Sequence, residues 1–123
     1  MRPLEYVATS RDDLRRFPDD ARQQSGYALE LVQAGAMPEN AKPLQGFGGA
    51  GVQEIAADDR GGTFRVVYTV TLPNAVYVLH AFQKKSTSGV KTSQRDIDLV
   101  RQRLRVAQMH SDEAIRAQRK EAT

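Results

Sequence analysis

The chain has 123 residues and no cysteine, which excludes disulfides and thiolate metal sites. Its formal charge is +3, and the excess is one-sided: residues 1–83 carry 8 Lys and Arg against 10 Asp and Glu, whereas residues 84–123 carry 10 against 5. A polyanionic partner would account for that basic C-terminal third, because Lys and Arg that displace phosphate counterions give sequence-independent affinity; a solvated basic helix would account for it equally well. The length suits one domain with its own core, read here as residues 1–110, with 111–123 a charged tail expected to fray. The opening MRPLEYVATSRDDLRR has no apolar core for a signal peptide, and no later run approaches the ~20 apolar residues of a membrane span. The composition suits a reducing cytoplasm.

In chain order, LEYVA (4–8) reads as a short leading strand. Ser10 followed by Asp13 is a capping-box arrangement opening a helix whose apolar face is Leu14 and Phe17. Pro18 restarts the chain as the first residue of a second helix, with Asp19 and Asp20 where the helix dipole favours acids. That helix runs to about Ala34 with Ala21, Ala28, Leu31 and Val32 as its expected buried stripe; Gly35 and Pro38 stop it. KPLQGFGGAG (42–51) connects to three strand-like runs, 52–58, 63–72 and 75–84, separated by DDRGG and PN at hairpin lengths. Thr92 or Ser93 then caps a closing helix, Asp96 being placed to reciprocate for Ser93, and Ile97, Val100, Leu104 and Ala107 form a stripe to lie on the sheet. Two helices, an antiparallel meander and a C-terminal helix define an α+β fold.

The glycines of 46–51 lead into a strand and lack a following Lys-Ser/Thr, so they form a turn rather than a phosphate loop, with Phe47 free to plug the core beneath it. Tyr68 and Tyr77 read as core aromatics rather than base-stacking platforms.

The runs KPLQGFGGAGVQEI, GGTFRVVYTV and YVLHAFQKKS, followed by a helix TxxxDIDLVRQRL, together resemble the phage-derived HigB-like branch of the RelE/ParE toxin superfamily. The resemblance spans about residues 4–107. It implies a RelE-like sheet with helices on one face, ribosome-associated cleavage of messenger RNA, and a cognate antitoxin carrying a helix-turn-helix DNA-binding domain. Two departures stand out. Many relatives have Arg two residues after the strand glutamate, where this chain has Glu54-Ile55-Ala56; and the usual Thr-Pro before the last helix is Thr92-Ser93.

RNA cleavage without a metal requires that the 2′-hydroxyl lose a proton, the phosphorane be stabilised and the 5′-oxygen gain a proton. No paired carboxylates or metal-ligand cluster are legible, so cationic and imidazole side chains are left to supply these roles, and neither metal nor cofactor is expected. Strand alternation puts Thr63, Arg65, Val67 and Thr69 on one face and the greasier Phe64, Val66, Tyr68 and Val70 on the other, so Arg65 is expected on the open face. Glu54 shares its face with Val52, Ala56 and Asp58; strict alternation groups His80 with Val76, Val78, Phe82 and Lys84. If that last group shares Arg65's face, Arg65, His80, Lys84 and Lys85 form the candidate catalytic set, with Glu54, Lys91 and Arg95 contacting RNA.

Arg65 is suited to bind a scissile phosphate bidentately, or to pair with Glu54 across the sheet. His80 is an acid or base if its ring reaches the open face, and a hydrogen-bonded core residue otherwise. Lys84 and Lys85 lie where the resemblance places RNA-contacting basic residues. Three functions remain open on the sequence: an endoribonuclease acting with the ribosome, a non-catalytic ParE-like inhibitor of a protein target such as gyrase, and a phage remnant that only binds an antitoxin.

Overall fold

The computed structural model describes residues 1–84 and 91–122. A five-stranded sheet is built from β1 (Leu4–Tyr6), β2 (Ala41–Pro43), β3 (Val52–Asp59), β4 (Gly62–Thr69) and β5 (Val76–Lys84), in the order β1-β5-β4-β3-β2. The meander β3-β4-β5 is antiparallel, as its short turns require; β1 closes one edge in parallel with β5, and β2 closes the other antiparallel to β3. The sequence concealed β2 because its three residues include Pro43, and only an edge strand tolerates proline there.

Helices α1 (Ser10–Arg15) and α2 (Asp19–Gln33) cover one face, where Leu14, Phe17, Ala28, Leu29 and Val32 bury against Ile55, Phe64, Val66 and Val78. Pro18 sits at the N-cap of α2, one position earlier than its reading as the first helical residue. Gly35 takes φ +91° just past the end of the helix, a conformation open to glycine at no steric cost. The stripe on α2 is corrected at one position: Leu29 is fully buried, whereas Leu31 is only partly so. Residues 21, 25, 28, 29 and 32 share one side of a 3.6-residue repeat, and Leu31 falls at its border.

The long helix α3 (Gln94–Ala122) lies on the other face, with Val100, Leu104 and Ala107 packed on Val52, Val67, Tyr77 and Leu79. The sheet is therefore sandwiched between helical layers instead of carrying all helices on one side. Ser93 caps α3: its hydroxyl accepts from the Asp96 amide at 3.2 Å and donates to the Asp96 carboxylate at 2.7 Å. The charged C-terminal segment does not leave the helix, which continues unbroken to Ala122. Its junction is anchored, because the Ser111 hydroxyl donates to the Asn74 side chain and the Tyr77 hydroxyl meets His110 Nδ1 at 2.8 Å.

A bulge in β5 decides which side chains face α3. Val67 pairs with His80, but the next residue, Tyr68, pairs with Val78, so Leu79 is supernumerary. Val76 and Val78 consequently pack under α1 and α2, while Tyr77, Leu79 and then His80 face α3. The expected grouping of His80 with Val76 and Val78 is thus broken, because one extra residue resets the two-residue alternation.

Candidate functional site

Beyond the bulge, the pairings Arg65 with Phe82, Thr63 with Lys84 and Glu54 with Val67 bring Glu54, Arg65, His80 and Lys84 to one face of the sheet. The start of α3 rests on this face, so it is not open, and Arg65 is not the exposed side chain that alternation suggested: it is 12 % accessible. Its guanidinium occupies a clamp. Nη1 donates to the Asp58 carboxylate and to the Phe64 carbonyl, both at 2.8 Å, while Nε stands 3.7 Å from Glu54 Oε1. At that distance Nε has an ionic neighbour and, among the described residues, no hydrogen-bond acceptor.

Glu54 is 2 % accessible, and a carboxylate so deeply buried requires compensation. The Thr92 hydroxyl, just ahead of α3, donates to its Oε2, and Arg65 flanks its Oε1. Lys84, 9 % accessible, completes the group. Burial pushes its ammonium below the usual lysine range, a shift that the charge of Glu54 opposes and that Arg65 and Lys42 reinforce. A lysine whose charged form is disfavoured gives up its proton more readily.

His80 shares the face and is engaged elsewhere. Its Nε2 meets Asp96 Oδ1 at 2.8 Å, its Nδ1 lies 3.4 Å from Arg103 Nη1, and its ring stacks on Phe82 with centroids 4.5 Å apart. An arginine can only donate, so Nδ1 is the acceptor and Nε2 carries the proton given to Asp96. The ring is neutral, and burial, the largest cause, lowers its pKa below the ordinary histidine value against the pull of Asp96. Between that lowered value and about 6.5 the unfolded chain binds more protons than the folded one, so stability falls as pH drops through this window. His80→Gln is expected to make the loss of stability between pH 7.5 and 5 shallower than in the parent, as read from urea midpoints; identical pH dependences would exclude His80 as the titrating group.

Lys91 is exposed and lines a groove beside Glu54, while Arg95 is exposed on the first turn of α3 outside that groove. Lys85 lies outside the described residues. Sequence reasoning missed Asp58, Thr92 and Arg103 as partners of the site. Asp58 could have been found, since it shares Glu54's side of the strand; Thr92 and Arg103 depend on how α3 docks. Ala56, where many relatives of the resembled family carry Arg, pairs directly with Arg65 in the register, so the absent cation would have stood against this guanidinium. No three His, Asp or Glu among the described residues are grouped to hold a metal ion, and none of the described helices is long and apolar enough to cross a membrane.

The fold and the site define a small α+β domain with a cationic cluster and a buried carboxylate on one sheet face. The model of the family described as phage-derived Gp49-like proteins matches residues 12–105, and the chain belongs to that family, one of RelE/HigB-like toxins. Among solved structures it is similar to a mutant of the E. coli toxin RelE in the free state, with 17 % identity and a TM-score of 0.49 over 70 % of this chain and 86 % of that one. It is also similar to the toxin–antitoxin complex RelBE2 from Mycobacterium tuberculosis, with 19 % identity and a TM-score of 0.41 over 69 % of this chain and 93 % of that one. No curated protein matches it by sequence.

Proposed function

We propose that this chain is the toxin of a type II toxin–antitoxin pair and a metal-independent endoribonuclease that cuts messenger RNA on the ribosome in the cytoplasm, restrained by a helix-turn-helix antitoxin. The observation that carries the reading is the convergence of Arg65, Lys84 and Glu54 on one sheet face, bordered by a groove with Lys42 and Lys91 on its rim. In the reaction the 2′-oxygen bonds to phosphorus as the bond to the 5′-oxygen breaks, leaving a 2′,3′-cyclic phosphate and a 5′-hydroxyl. Arg65 stabilises the charge that builds on the phosphorane, held in position by Asp58 and Glu54. Lys84, and Lys85 after it, supply charge and move protons, and Glu54 holds the cations in place. His80, with both ring nitrogens engaged, braces α3 against the sheet.

One observation favours the other reading, a non-catalytic inhibitor of a protein such as gyrase: Ala56 leaves the position opposite Arg65 without a second cation. Growth separates both from an inert remnant. Induction of the chain alone is expected to arrest bacterial growth, and co-expression of the antitoxin encoded beside it to restore growth. Unchanged growth at clearly detectable soluble protein would defeat the toxin reading altogether.

A further inference from the structure

We infer that the groove between the segment Lys42–Gly46 and the first turns of α3 is a subsite for one unpaired nucleotide of single-stranded RNA, next to the Arg65 cluster and distinct from it. The inference rests on the proposed reading only in so far as RNA is what the chain binds. The groove has a volume of about 530 Å³, within the ~300–1,000 Å³ typical of small-ligand sites. Its lining includes the apolar Leu44 from the strap and Ile97 from α3, surfaces on which a base can pack. Its rim carries Lys42 and Lys91, both exposed, at the mouth where a phosphodiester would remain in solvent. Its floor is Glu54 and Thr92, joined by their hydrogen bond, so the one acid reaching the groove is already compensated by Thr92 and Arg65 and does not cancel the rim's attraction for phosphate.

The groove is preformed. Lys42 and Pro43 are held in register against Glu54 and Gln53, and the Leu44 amide donates to the Val52 carbonyl at 3.0 Å. From the opposite wall Arg101 donates to the Gly46 carbonyl at 3.1 Å and lies over the Phe47 ring, 5.1 Å from its centroid, tying the strap to α3. A site fixed before binding spends little of its affinity on ordering itself. An acidic peptide matches the rim but leaves the apolar lining of Leu44 and Ile97 unused; a nucleotide uses both. Glu54 is shared by the floor and by the Arg65 pair, so a nucleotide held here places the adjoining phosphate of the same strand toward Arg65.

The test is binding of a fluorescent 2′-O-methyl trinucleotide, which cannot be cleaved, to the full chain over a range of salt concentrations. Charge reversal at the rim, Lys42→Glu with Lys91→Glu, is expected to weaken binding about tenfold or more and to flatten the log–log salt slope by roughly 0.7 for each phosphate left unneutralised. Ile97→Ala is expected to weaken binding severalfold with the slope unchanged, since it removes packing on the base and no charge. A parent that does not bind the trinucleotide, rim variants that bind as the parent does, or capture of an acidic peptide in its place would each overturn the subsite. The two readings separate cleanly. Binding with these dependences by a chain that never cuts RNA leaves the subsite standing and removes the nuclease; cutting with an unchanged KM in the rim variants does the reverse.

Discussion

Arg65→Ala is expected to slow cleavage of ribosome-bound messenger by about a hundred- to a thousand-fold, the ~2.7–4 kcal/mol that one preorganised donor aimed at developing charge is typically worth. The effect is large because the guanidinium needs no reorganisation at the moment of reaction. Asp58 and the Phe64 carbonyl fix Nη1, and the Glu54 carboxylate stands 3.7 Å from Nε. Arg65→Lys retains the charge and loses the fork, so it is expected to recover part of the rate and not all of it. Stability must be read alongside. Truncation removes one of the charges compensating a carboxylate that is almost wholly buried, and the loss of one partner from a buried pair is costly. Thermal midpoints of Arg65→Ala and Glu54→Ala are therefore expected to fall together, with the rate loss beyond what the folded fraction explains larger for Arg65→Ala, which removes the donor, than for Glu54→Ala, which only loosens its placement. A folded Arg65→Ala protein that cleaves at the parental rate removes Arg65 from the chemistry.

The second large effect lies in the core. Leu29→Ala is expected to cost about 2–5 kcal/mol, since the side chain is 1 % accessible and its deletion leaves a cavity between α2 and the sheet. Leu31→Ala, two residues away and only partly buried, is expected to cost well under half of that. Chemical denaturation of the two variants decides the matter, and equal losses would mean that α2 presents a different face to the sheet.

That contrast marks how far the sequence could be read. Turn residues and hydrophobic spacing placed the meander, the two N-terminal helices and the cap of α3, because these features are local: Gly35 ends α2, Ser93 begins α3, and the short turns force antiparallel pairing. What depends on a single inserted residue was not legible. The bulge at Leu79 turns His80 toward α3 and Val78 away from it, and nothing in YVLHAFQK announces where the alternation breaks. The side on which α3 docks was equally hidden, since both faces of β5 are apolar, and with it went the partners that α3 contributes, Thr92 to Glu54 and Arg103 to His80. The strand faces did bring Glu54 and Arg65 together, and of the two roles offered for Arg65 the pairing with Glu54 is present in the structure, while contact with a phosphate belongs to the proposal.

The central claim is that this toxin acts by cutting RNA, and the chemical identity of the ends it makes is the most direct measure of that. Purified full-length chain would be added to ribosomes translating a defined messenger, and the fragments analysed for their termini. The account predicts fragments ending in 2′,3′-cyclic phosphate with matching 5′-hydroxyls, formed by the parent and strongly reduced with Arg65→Ala. Messenger that stays intact under protein levels that arrest growth would contradict it and transfer the function to inhibition of a protein target.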